Sequence, residues 1–215
     1  MVLIRSVNPD ALQALIPARY KIAPGPDGTG QLAFAIYTCD LLTLDASPAD
    51  RGVVAEISAR IQSPDGSQGR HAYLLHHLTS LKPLSDALGK FGDVFRYAPD
   101  ASFAVGPRAP GADNVARARI ESDQVAFSSV GDPVKEPAEG PIVYDGKGVT
   151  FWLDGGRERI KLDYRAPKLF PRSTGAITTK ITRIDAALAK FGDTASGTGA
   201  FLRFDARVLI TALPP

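Results

Sequence analysis

Cysteine occurs once in the 215 residues, at Cys39. That excludes an internal disulfide and any cysteine metal cluster, fits a reducing compartment, and leaves Cys39 to be read as a small buried residue. No apolar run approaches the roughly 20 residues that a membrane-spanning helix needs. The apolar start, Met1–Ser6, is too short for the core of a signal peptide. The expectation is therefore a cytoplasmic protein with no membrane partner. Charge of one sign is scarce too: 25 basic residues stand against 23 acidic ones, a formal net charge of +2. No segment collects the five or more basic residues that would track a phosphate backbone, so nucleic acid is not an expected partner.

What remains is ordinary globular material, 44% hydrophobic and 22% charged, enough for one sizeable core; a single domain over 1–215 is expected. Asn8 as N-cap, Pro9 at the first helical position and Ala11, Leu12, Leu15 and Ile16 on one face predict a short helix that Pro17 ends. Gln31–Asp40 reads as a strand. Val53–Gln62 and Arg70–Thr79 alternate with period two about Ser63-Pro64-Asp65-Gly66, which predicts a hairpin. Pro83–Phe91 reads as a helix, with Gly92 where a left-handed cap would stand. Ala116–Ile120, Gln124–Ser128, Gly148–Leu153, Arg159–Tyr164, Lys180–Asp185 and Phe201–Ile210 complete about eight or nine strands, as in a sandwich or barrel. Val130–Pro141 reads as an exposed loop. The glycine-rich stretches Gly25–Gly30 and Gly192–Gly199 have neither a Walker pattern nor a strand-to-helix setting and read as loops, so no nucleotide cofactor is expected. Asp86–Asp193 contains one internal echo: Asp86-Ala-Leu-Gly-Lys-Phe-Gly-Asp93 returns as Ala186-Ala-Leu-Ala-Lys-Phe-Gly-Asp193, six identities in eight. Two similarly capped short helices, or chance, explain it more simply than a duplication.

Several side chains could carry chemistry. Glu56 lies among Val53, Val54, Ala55 and Ile57, so it is either a desolvated carboxylate facing the interior or a solvent-facing one. His71, His76 and His77 fall in one strand, where alternation puts His71 and His77 on one face and His76 on the other. They cannot form one cluster, and no metal site is expected. Interior hydrogen bonding is their plainer role. Arg96 and Tyr97 could orient a carboxylate or an enolate oxygen, or be a surface arginine beside a core tyrosine. Lys82 and Lys90 flank the second helix and read as solvated.

Several segments in order resemble the acetoacetate decarboxylase-like family. They are Asp10-Ala-Leu through Pro17 with Arg5 just ahead, Val54-Ala-Glu56, the Asp65-Gly66 turn before Tyr73–His77, Pro167-Lys-Leu-Phe-Pro171 with Gly175, and Thr198–Ala206 closing on Leu213-Pro214. The resemblance implies a mainly β fold with a few short helices, in which a large curved antiparallel sheet closes into a β-barrel or cone around a small apolar cavity. It leaves a homo-oligomer open. The family's decarboxylases form a Schiff base on a lysine after a tyrosine and proline. Here Tyr97 is followed by Ala98 and Pro99, and neither can condense with a ketone. A second family carboxylate falls at Ala35, so of the acidic set only Glu56 remains. The resemblance thus implies a divergent enzyme, lyase-like or isomerase-like, acting without a Schiff base on a small keto or polyketide-like compound. Glu56 would be its acid or base, and His77, Arg96 and Tyr97 its substrate-binding groups. The alternative is a non-catalytic protein that binds a small apolar or keto-acid ligand.

Overall fold

The computed structural model describes residues 1–39, 42–44, 47–49, 51–107, 109–110, 112–132, 142–143, 149–155, 158–169, 173–201 and 204–214. The loop expected over Val130–Pro141 lies outside them from residue 133 onward, as do the Asp145-Gly146 turn, Phe170-Pro171 and the side chain of Cys39. In chain order the elements are β1 (Val2–Val7), α1 (Pro9–Gln13), β2 (Gly30–Cys39), β3 (Leu42–Leu44), β4 (Ser47–Ala49), β5 (Gly52–Ile61), β6 (Arg70–Thr79), α2 (Lys82–Gly89), β7 (Phe95–Tyr97) and β8 (Ser102–Pro107). There follow β9 (Asn114–Glu121), β10 (Ala126–Gly131), β11 (Ile142–Val143), β12 (Val149–Gly155), β13 (Glu158–Leu169), β14 (Ser173–Arg183), α3 (Ala186–Ala189), β15 (Thr194–Phe201) and β16 (Phe204–Leu213).

Among the described residues fourteen strands form one sheet in the order β11-β13-β12-β6-β5-β2-β1-β15-β14-β10-β9-β8, with β16 also on β13 and β7 also on β6. Among the described residues pairing is antiparallel except at two places, both on one edge of β6. That edge meets β12 in parallel over Arg70–Tyr73 and β7 in parallel over His77–Thr79. The sheet curls on itself. β2 and β10 stand four places apart in the order, yet Phe34 and Phe127 meet edge to face with ring centroids 6.1 Å apart. The concave face carries the larger core, from Leu3, Leu32 and Ile57 to Trp152 and Ile177. Over β5, β6, β12 and β13 the other face is covered as well. There Val54, Leu74, Phe151 and Leu162 pack under Leu84 and Leu88 of α2 and Phe95 of β7. This double coverage explains why β5 reads as an apolar run rather than a clean alternation: only Arg60 in it is exposed.

Local chemistry accounts for the elements that the sequence predicts. Asn8 Oδ1 accepts the Ala11 amide at 2.9 Å and Pro9 opens α1. Gly66 in the hairpin turn has φ of 72°, and Asp65 Oδ1 accepts from Ser63 Oγ and the Ser67 amide, both at 3.1 Å. Lys161 Nζ reaches Asp65 Oδ2 at 2.8 Å. These donors hold the Asp65 carboxyl well below the usual carboxylate range against the opposing effect of its burial.

The internal echo is a shared helix stop. Phe91 and Phe191 return amides to Leu88 and Leu188, and Gly92 and Gly192 both take positive φ. The Lys90 and Lys190 ammonium groups sit over the neighbouring Phe rings at 5.0 and 5.5 Å. The helix starts differ, because Asp185 caps α3 while Leu81 gives α2 no side-chain cap.

Several expectations need correction. Met1–Ser6, weighed only as a targeting segment, belongs mostly to β1. Gly192–Gly199, read as a loop, is largely β15, which bridges β1 and β14. Strands β7 and β8 were not foreseen either. Another correction concerns the histidines.

Candidate active site

Cross-strand register places three side chains on the covered face of β5. Glu56 is opposite Ala35 of β2 on one side and His77 of β6 on the other. Tyr37, opposite Val54, stands diagonal to Glu56 on that face, within reach of a long side chain. Its hydroxyl donates to Glu56 Oε1 at 3.0 Å. Glu56 is 3% exposed, which settles its two sequence-level alternatives in favour of the buried carboxylate. The position of the family's second carboxylate, Ala35, lies directly across from it.

His77 is 2% exposed, and its Nε2 is 3.9 Å from Glu56 Oε1, beyond hydrogen-bond range but within reach of a small reorientation. Its ring lies tilted against Phe95 at 5.2 Å and its amide donates to Val94 O at 2.8 Å. Burial pushes the imidazole down from 6.5 to about 4, so it is neutral at pH 7 and carries one N–H donor and one bare nitrogen. Nδ1 has no hydrogen-bond partner among the described residues.

The predicted sharing of a face by His71 and His77 is overturned. β5 pairs with β6 as Ile57↔His76 and then Ser58↔Leu74, so Leu75 is an extra residue, a β-bulge, and alternation changes phase across it. His71 and His76 therefore face the larger core and His77 faces Glu56. His71 is interior and hydrogen-bonded at both nitrogens: Trp152 Nε1 donates to Nδ1 at 3.1 Å, and Nε2 stands 3.0 Å from Ser67 O. His76 Nε2 stands 3.0 Å from Asp185 Oδ2.

Arg96 leaves the predicted group. β7 pairs Phe95↔His77, Arg96↔Leu78 and Tyr97↔Thr79, so Phe95 and Tyr97 face the Glu56 side while Arg96 faces the opposite one. There its guanidinium donates to Gln124 Oε1 at 2.5 Å and stands 3.7 Å from Asp123. Tyr97 is 41% exposed, with Lys82 Nζ 5.8 Å from its ring centroid. It is therefore not the core tyrosine of the plainer alternative. Ala98, which follows Tyr97, is wholly buried in the larger core. Lys82 is solvated and paired with Asp86 at 2.7 Å, and Lys90 is exposed. Among the described residues no three His, Cys, Asp or Glu side chains converge as a metal site, and no helix is long and apolar enough to cross a membrane. Tyr37 was missed by sequence reading. Alternation along Gln31–Asp40 puts residues 35 and 37 on one face, but only the strand register identifies that face as the one Glu56 shares.

A buried carboxylate bonded to a phenol, beside a neutral imidazole, can hold and release one proton in an apolar setting, and can donate a hydrogen bond to an oxygen that gains charge. No protein-family model matches the sequence, and no curated protein matches it. Solved structures do. One, an acetoacetate decarboxylase-like enzyme from Sphingomonas wittichii RW1, aligns over 99% of this chain and 89% of its own with a TM-score of 0.63 at 14% identity. Another, the enduracididine biosynthesis enzyme MppR with HEPES buffer bound, aligns over 99% and 84% with a TM-score of 0.52 at 15% identity. With its curled, mostly antiparallel sheet and, among the described residues, three short helices, the chain has the acetoacetate decarboxylase-like fold.

Proposed function

We propose that the protein is a divergent acetoacetate decarboxylase-like enzyme that moves a proton on a small keto or polyketide-like compound, with no Schiff base. The observation that carries this reading is the group of buried Glu56 and His77 with half-buried Tyr37, on a fold shared with two enzymes. In the proposed step Glu56 takes a proton from the carbon next to the carbonyl. The C–H electron pair becomes the enolate C=C bond, and the carbonyl π pair moves onto oxygen, where neutral His77 donates its N–H. Return of the proton regenerates the ketone or its isomer. Lysine is not required, because the charge rests on oxygen instead of being drawn into an iminium.

The test is α-proton exchange of acetylacetone, acetone and pyruvate in D2O, followed by NMR. Enzyme-dependent deuteration of one of them, lowered by about 10²–10⁴ in Glu56→Gln, is the expected result. Unchanged exchange in Glu56→Gln would remove Glu56 from the chemistry. The second reading, a binding protein for a small apolar or keto-acid ligand, is favoured by the Tyr37 hydroxyl already engaging Glu56 Oε1. Thermal stabilisation by one of these compounds, with no exchange and the compound recovered intact, would select it.

A further inference from the structure

The histidine beside His77 faces the other way, and its surroundings explain how His77 reaches Glu56 at all. β6 is paired with β5 along its length, but among the described residues its second edge changes partner in the middle. β12 accompanies it to Tyr73 and β7 from His77 onward. The bulge residue Leu75 falls in the gap between them. Without the bulge the pairing would run on as Ile57↔Leu75 and Glu56↔His76, exchanging the faces of the two histidines and sending His77 into the larger core. There is room for movement: Leu75 and His76 line an open cleft of about 140 Å³ together with Leu15, Asp185, Ala187 and Leu188.

One side-chain bond ties the strand down in this gap. Asp185 uses its two oxygens for two tasks. Oδ1 accepts the Leu188 amide at 2.9 Å and starts α3, while Oδ2 accepts from His76 Nε2 at 3.0 Å. Because a carboxylate can only accept, His76 carries its proton on Nε2. Its Nδ1 is buried with no partner among the described residues. Asp185 and Arg96 are the charged groups that act on this ring.

We propose that the His76–Asp185 bond is a positioning device that fixes the β6 bulge at Leu75 and thereby holds His77 against Glu56. The inference rests on the reading of Glu56 and His77 as the working pair, but its first readout does not need activity. Asp185→Asn keeps the size and has only one side-chain acceptor. The helix start requires that oxygen for the Leu188 amide, so the amide NH2 faces His76 and forces its proton to Nδ1, where no acceptor waits.

The experiment is proton–nitrogen correlation NMR of the three imidazoles, with wild type, Asp185→Asn, Asp185→Ser and Ala186→Gly. Serine still caps α3 but is too short to reach His76. Ala186→Gly loosens α3 at an exposed position without touching His76. In both Asp185 variants the His77 ring resonances should move, and in Asp185→Asn the protonated nitrogen of His76 should switch. α-Deuteration of the responsive ketone should fall roughly tenfold to a hundredfold, as expected for a displaced reacting group. Ala186→Gly should leave all of these at wild-type values. His77 resonances that stay in place in folded Asp185→Ser would overturn the positioning role. Resonances that move while deuteration stays at the wild-type rate would uphold it and sink the proposed chemistry instead.

Discussion

Acidification should unfold this protein through His77, by an amount the structure sets. An imidazole held at about 4 when folded and at 6.5 when unfolded takes up a proton on unfolding anywhere between those values. Its contribution to stability is therefore intact above pH 6.5, is lost progressively from there to pH 4, and is gone below. At 1.36 kcal/mol per pH unit the whole loss is about 3 kcal/mol. The assay is urea unfolding from pH 7.5 to 4 for wild type and His77→Gln. His76, also lowered by burial, titrates in both proteins and drops out of the difference. Relative to the variant, the wild type should lose about 3 kcal/mol over that range. Glu56 provides the refutation. As the base of the proposed step its carboxylate is ionised 3.9 Å away, so the burial of His77 must outweigh an attraction for the protonated ring of about 4 kcal/mol at an effective dielectric of 20. Parallel curves, or a relative gain in acid, would show His77 as a paired imidazolium and remove the neutral donor from the site.

The remaining expectations concern the frame and the missing lysine. Borohydride added with acetoacetate should leave the intact mass unchanged, whereas an adduct would mean that a lysine elsewhere has taken over imine formation. Trp152→Phe strips His71 Nδ1 of its donor in a fully buried place and should cost about 1–3 kcal/mol in urea unfolding; a neutral result would discount that bond. Gly155→Ala should be destabilising by about 1–3 kcal/mol, since the new Cβ would lie 2.6 Å from the Phe91 carbonyl, backbone that cannot swing away. Phe34→Ala breaks the contact that spans the curl and should cost about 3–5 kcal/mol.

Where residues act on their own neighbourhood, the sequence was readable. Asn8 and Pro9 start a helix, Asp65-Gly66 turns a hairpin, and Glu56 within an apolar run is buried. Legibility failed where a distant strand decides. β15 is rich in glycine and small residues, as loops are, and becomes a strand because β1 and β14 satisfy its backbone from both sides. Alternation assigned the histidine faces by assuming an unbroken period of two, and the extra residue at Leu75 exists only in relation to β5. Arg96 was grouped with Glu56 by resemblance in sequence order, while the parallel register of β7 turns it to the opposite face. Tyr37 joined the site for the converse reason, through a diagonal that no linear pattern displays.

The seam between β1 and β15 joins opposite ends of the sequence, with Val2 opposite Ala200. Pairings of such long sequence separation close large loops before any contact rewards them, and they make folding slow. Strands β2, β5 and β6 can assemble from neighbouring segments, but until β15 arrives one edge of β1 has no partner among the described strands. A polypeptide cut after Pro107 would keep that edge open, with Ile4 already 49% exposed in the complete fold. Such a fragment should self-associate edge to edge rather than remain a soluble half-sheet.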